Sequence, residues 1–168
     1  MKKENMNNKG FSLVELIIVI AIMAILIVVL APQYLKYVER SRNSTDLQNA
    51  VSLRTAIETY AADPQAGTPF QKSDKFKITV TSANLSIDNG AGADSAAAAL
   101  VDAALVPNDF AAGKNTTDIK CSSKTQWTQY TMEGTIKDNG AIEWKYTDTA
   151  FEAAMKGNAA PAGGGDTP

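Results

Sequence analysis

Gly10, Phe11 and Glu15 are the residues whose types and spacing suggest chemistry. A cut after Gly10 would create a new α-amine on Phe11, and Glu15 follows four residues later, about one helical turn along. Glu15 is otherwise out of place. From Leu16 to Ala31 the chain contains no polar side chain. An ionised carboxylate in such a run costs a few kcal/mol unless it snorkels, protonates or finds a partner. Two readings follow from the residues alone. Either Glu15 sits at headgroup level near a helix start, helped by the positive end of the macrodipole, or it waits for a cation such as the Phe11 amine. Elsewhere chemistry is sparse. The chain has no histidine, so the commonest general base and metal ligand are missing. No nucleophile, base and orienting group can be assembled into a set, and the chain is not expected to be an enzyme. No cofactor or metal site is expected.

The element that must carry these residues is a helix. From Phe11 to Ala31 it would be roughly 30 Å long, enough to cross the hydrocarbon core of a bilayer. A core helix of a soluble domain needs neighbours around its whole circumference, and the rest of the chain offers one modest domain. Lipid, or other copies of the same helix, must cover it. Pro32 lacks an N–H and kinks or loosens the helix there. From Gln33 to about Ala62 the residues are helix formers without Gly or Pro, and Asp63-Pro64 stops them. Leu35, Val38, Leu47, Ala50, Val51, Ile57 and Ala61 recur as one face would require. Glu39, Arg40, Arg42, Asp46, Gln48 and Glu58 are read as decorating the solvated remainder. An ordinary secretory signal fits poorly, because the apolar run exceeds the usual signal core and cleavage after Ala31 would leave Pro32 at the cut. A plain unprocessed anchor is a further alternative. The lysines of the leader keep that end cytoplasmic and the domain outside.

Gly10-Phe11-Ser12-Leu13-Val14-Glu15-Leu16-Ile17-Ile18-Val19-Ile20-Ala21-Ile22, followed by Pro32-Gln33-Tyr34, closely resembles the N-terminus of type IV pilins and type II secretion pseudopilins, which carry a class III signal peptide. The resemblance covers roughly residues 9–37. It implies cleavage after Gly10 by a prepilin peptidase, N-methylation of Phe11 to N-methylphenylalanine, and pairing of Glu15 with the N-terminal amine of a neighbouring subunit. One departure is visible: many relatives carry glycine eight residues before the proline, where this chain has Ala24. That weakens the family's implication that the helix melts on assembly.

The chain is slightly acidic. Removing residues 1–10 takes Lys+Arg from 16 to 13 and Asp+Glu from 18 to 17, so the side-chain charge moves from −2 to −4. That gives no overall basic footprint for nucleic acid. Cys121 is the single cysteine, so no internal disulfide forms, unlike many Gram-negative pilins. It reads as a small buried apolar residue.

Beyond the helix, residues 65–75 form a polar connection. Lys75–Thr81 alternates as a half-buried strand, and Leu85–Ile87 is a second short one. Ala93–Val106 reads as a helix capped by Asp94 or Ser95 and stopped by Pro107. Asn108–Thr117 reads as loop and Ile119–Cys121 as strand. Trp127–Ile136 and Ala141–Thr147 form a hairpin around Asp138-Asn139-Gly140, with Tyr130, Met132, Gly134 and Ile136 on one side. Ala150–Met155 is a final helical turn, and Lys156 onward a flexible tail. Gly90-Ala91-Gly92 faintly imitates a dinucleotide-binding turn but lacks a continuing strand–helix unit. The Asp-Asn-Gly triplets at 88 and 138 read as turns rather than calcium loops. Trp127, Tyr130, Trp144 and Tyr146 read as core rather than as an exposed stacking platform. Asn43, Asn84 and Asn115 each head an N-x-Ser/Thr triplet.

The expected fold is α+β: a long N-terminal helix, transmembrane in its first half and amphipathic in its second, on a small antiparallel sheet. The expected divisions are a leader over residues 1–10, a transmembrane or filament-core helix over 11–31, its amphipathic continuation over 32–62, a head over 63–155 and a tail over 156–168. The expected function is that of a pilus subunit, of the major-pilin type, polymerising with itself into a helical surface filament. The resemblance implies four further partners: the prepilin peptidase and methylase, an assembly ATPase, its membrane platform protein, and other minor pilins. The alternatives are a pseudopilin of a secretion or DNA-uptake machine and an anchored binding domain that does not polymerise.

Overall fold

The structure is a computed structural model, and it describes residues 11–88 and 90–157. The order of elements is α1 (Leu13–Ala62), β1 (Lys75–Thr81), β2 (Leu85–Ile87), α2 (Ala93–Asp102), β3 (Asn115–Thr116), β4 (Gln129–Ile136), β5 (Ile142–Tyr146) and α3 (Thr149–Met155). The five strands form one antiparallel sheet in the order β3-β2-β1-β4-β5. With a long helix preceding it, this is the α+β architecture expected. The chain separates into two compact units, residues 1–38 and 39–168.

In the first unit, α1 runs through Pro32 without interruption. Its large apolar side chains are exposed, from 49% at Val19 to 74% at Val28. In the second unit, α1 buries one stripe: Asp46, Ala50, Leu53, Ile57 and Tyr60, spaced three or four apart. This corrects the face read from the sequence. Val51 is half exposed, Leu53 and Tyr60 belong inside, and Asp46 is fully buried. The helix ends where expected. Pro64 cannot continue it, and the Asp63 side chain accepts the Gln65 amide at 2.8 Å in a tight turn.

The helix stripe joins Phe76, Ile78 and Val80 of β1, Leu85 and Ile87 of β2, Tyr130, Met132 and Ile136 of β4, and Phe151 of α3 in one core. Burying side chains of the size of Leu53 or Ile57 contributes about 1.5–3 kcal/mol each. Strand alternation puts Lys75, Lys77, Glu133, Glu143 and Lys145 on the opposite face of the sheet. Gly134 lies opposite Phe76 in the β1–β4 ladder. A Cβ there would overlap the Phe76 ring, so the strand carries glycine where the ring crosses it.

Three details differ from the sequence reading. Residues 119–121 are not a strand; the edge strand is Asn115–Thr116, two residues that alternation cannot reveal. The N-cap of α2 is Gly92 rather than Asp94 or Ser95. The Gly92 amide donates to the Lys75 carbonyl at 3.1 Å, which holds the chain against β1 just before the helix starts at Ala93, as expected. Finally, α2 ends at Asp102, well before Pro107. Leu105 N donates to Leu100 O, Ala104 N donates to Val101 O, and Ala104 has φ 54°. This is a Schellman ending with alanine in the position glycine usually takes. The hairpin turn has Gly140 at φ 80°, as an Asn-Gly turn requires. Gly10 and the tail beyond residue 157 lie outside the described residues.

Candidate assembly site

The start of α1 organises Glu15 in a way that neither sequence reading included. The Ser12 carbonyl accepts the Leu16 amide at 3.2 Å, the first intrahelical bond. The Ser12 hydroxyl accepts the Val14 amide at 3.3 Å, and Glu15 Oε2 accepts the Ser12 amide at 2.8 Å. Ser12-Leu13-Val14-Glu15 is therefore a capping arrangement, in which serine and glutamate satisfy donors that a helix start otherwise leaves open. The S-x-x-E spacing was available in the sequence as a signal for it. Glu15 thus has a hydrogen-bond donor inside its own helix. Its carboxylate bonds the amide of the residue immediately after Phe11. Pro32 lies inside the same helix. Among the described residues one helix, α1, is long and apolar enough to cross a membrane.

Two further carboxylates along α1, Asp46 and Glu39, are not the surface decoration expected from the sequence. Asp46 is fully buried. Its Oδ1 accepts the Ser122 amide at 2.7 Å, and its Oδ2 accepts the Ser123 amide and Trp127 Nε1, both at 2.9 Å. The Cys121 thiol donates to the same Oδ2 at 3.4 Å. Two turns earlier, Glu39 Oε1 accepts the Ser123 hydroxyl at 2.9 Å and the amides of Lys124 and Thr125 at 2.7 and 2.8 Å. Its other oxygen pairs with Arg42 at 3.4 Å. Successive amides of the 122–125 segment thus close on two helix carboxylates, and charge-assisted bonds of this kind are roughly twice as strong as neutral ones. For Glu39, burial opposes ionisation, but the amide and hydroxyl donors together outweigh it and hold the carboxyl down at about 2. Farther along, Glu58 accepts Trp144 Nε1 at 2.8 Å and Arg54 Nε at 2.7 Å, joining α1 to β5.

Cys121 is buried, as expected. Burial first, and the Asp46 charge second, push its thiol up to about 12. It is therefore a thiol rather than a thiolate at neutral pH and a poor nucleophile. Trp127, Tyr130 and Tyr146 are core residues, and Trp144 is half-buried. Tyr130 stacks on Phe151 with centroids 4.3 Å apart and planes 9° apart. Burial pushes the Tyr130 hydroxyl pKa up. Among the described residues that hydroxyl has no hydrogen-bond partner. Gly92 opens onto a helix, but the sheet is antiparallel, so among the described residues no βαβ unit is present to hold a dinucleotide. The three Asn-x-Ser/Thr triplets separate. Asn43 lies within α1 with its Oδ1 buried. Asn84 pairs with Thr81 in the β1–β2 turn. Asn115 is exposed on β3.

Residues 5–31 match the family described as Prokaryotic N-terminal methylation motif. The chain is also similar to several curated proteins. It is 42% identical over 77 residues to the Type IV major fimbrial protein FimA of Dichelobacter nodosus, covering 46% of this chain and 44% of that one. It is 33% identical over 72 residues to the Type IV major pilin protein PilA of Myxococcus xanthus, covering 43% of this chain and 33% of that one. It is 31% identical over 89 residues to the Prepilin peptidase-dependent protein A of Clostridium perfringens, covering 52% of this chain and 56% of that one. The likeness thus spans between about a third and just over half of each relative's length. No solved structure matches. The chain resembles type IV fimbrial and pilin proteins over part of its length and carries the methylation motif at its N-terminal end. Two of these relatives are thus named as a type IV major fimbrial protein and a type IV major pilin protein.

Proposed function

We propose that this chain is a structural subunit of a type IV pilus, of the major-pilin type. The observation that carries the proposal is the first half of α1, an apolar helix exposed on all sides and holding a single carboxylate at Glu15. Such a surface needs an apolar environment, and two are available to a pilin. Before assembly, lipid covers it, with the head outside the membrane. In the filament, sister helices cover it. Transfer between the two exposes little hydrocarbon to water. Identical head-to-tail contacts that do not close on themselves build a helical filament.

In this reading a prepilin peptidase cuts after Gly10 and Phe11 is N-methylated. Glu15 then exchanges or shares the Ser12 amide with the α-amine of a neighbouring subunit, which sets axial register. Pro32 kinks the helix between its filament-core part and its continuation. An assembly ATPase, a membrane platform protein and minor pilins complete the machinery. The relatives named as fimbrial subunits support a pilus over a short pseudopilus.

The test is mass spectrometry of the N-terminus of the protein recovered from cells and from sheared surface filaments. A peptide beginning at Phe11 with one added methyl group, found in both, is the expected result. An intact Met1, or a start at Pro32, would remove the amine that Glu15 meets and overturn the reading.

A further inference from the structure

The exposed side chains just beyond the apolar run suggest a lipid contact that processing and polymerisation leave unexplained. From Leu16 to Leu35 the chain carries no charge, and the first basic residue is Lys36, followed by Arg40 and Arg42. Tyr34 and Tyr37 flank Lys36 and are 68% and 65% exposed. Their i, i+3 spacing puts both rings on one side of α1. From Leu13 to Tyr34 the helix rises roughly 30 Å, the thickness of a bilayer's hydrocarbon core. The pair therefore falls at the level where the hydrocarbon ends. A tyrosine ring has an apolar body and one polar tip, and such rings concentrate at headgroup level. Lys36 can extend its ammonium from the same level toward lipid phosphates.

We propose that Tyr34 and Tyr37 form an interfacial anchor, seated among lipid headgroups on the outer side. The anchor fixes how deep the unassembled subunit lies in the bilayer, and so holds the helix at one depth until assembly withdraws it. The proposal rests on the membrane-inserted state in the function proposed above, but not on polymerisation.

The test uses the full chain in phosphatidylcholine–phosphatidylglycerol vesicles, with a nitroxide attached at Ala31→Cys. Cys121 is buried and a poor nucleophile, so it should not compete for the label. Depth is read from nitroxide accessibility to oxygen and to a water-soluble nickel complex. In the parent the label should lie just inside the hydrocarbon boundary. Replacing the pair by Tyr34→Leu and Tyr37→Leu should draw the label inward by about 3 Å, a rise of roughly two residues. Tyr34→Trp with Tyr37→Trp should keep the parental depth, since indole shares the interfacial preference. An unchanged depth in the leucine pair overturns the anchor, as does an equal shift in the tryptophan pair. A parent label fully open to the nickel complex overturns the inserted state itself. Failure of the pilus reading would show separately, as a wrong N-terminus or absent filaments in cells.

Discussion

Glu15 and Asp46 are two carboxylates on one continuous helix in opposite surroundings. Glu15 is exposed in an apolar stretch with one backbone donor from its own turn. Asp46 is fully buried, yet meets two amides, an indole and a thiol. Sequence context suggests the reverse, since the apolar neighbourhood surrounds Glu15 and polar residues flank Asp46. The difference teaches that a carboxylate's environment depends on which donors reach it, and not on the polarity of its neighbours in the chain. In the assembly proposed above, Glu15 takes a donor from another molecule. Asp46 already has its donors from its own.

That contrast can be broken at both ends. The largest effect is expected for Glu15→Ala. Processing to Phe11 should remain intact, while filament yield falls on the order of a hundredfold, because removing one partner of a buried pair costs about 3 kcal/mol or more. Counting surface filaments beside the mass of the N-terminus checks it, and normal filament numbers would reject the register role. Asp46→Ala should leave processing untouched but destabilise the head by about 3–5 kcal/mol, because the buried Ser123 and Trp127 donors and the partly buried Ser122 amide are then left unpaired. Denaturant unfolding of the full chain in detergent, followed by tryptophan fluorescence, measures it. A loss below about 1 kcal/mol would mean that the 121–127 segment holds without its clasp.

Glu39 sharpens the comparison through pH. Its folded pKa of about 2 lies below the ordinary 4.5. Its contribution is therefore complete above about pH 4.5 and disappears as pH falls toward 2, amounting to about 2–3 kcal/mol. Glu39→Gln should flatten the stability–pH curve in that window and cost most at neutral pH. An unaltered curve would assign the acid sensitivity to other groups. The smallest effect belongs to Ser12→Ala. It removes the hydroxyl that accepts the Val14 amide and should loosen the first turn by about 1 kcal/mol. Faster amide exchange confined to residues near 14 is the expected signature, with Asp46 and the head unaffected.

Parts of this molecule were legible because their causes are local. β1 was read with its observed limits, since strict alternation with one buried face leaves little freedom of register. The β4–β5 hairpin was legible from Asn139-Gly140. The end of α1 was marked by Asp63-Pro64. The start of α2 at Ala93 was legible too, but its cap and its end were not, because Gly92 is held by the Lys75 carbonyl and Ala104 takes a left-handed conformation. Neither is encoded by the residue types at those positions.

The same division holds for function. Sequence by itself determined the exposed apolar helix and the position of Glu15. A helix satisfies its own backbone groups, so a long uncharged run can be recognised without knowing what surrounds it. Only the tertiary structure decided that Asp46 is buried and that Glu39 and Asp46 grip one segment. Their donors lie between 75 and 86 residues away, beyond any periodic pattern. A buried charge is tolerated only where folding delivers those donors together.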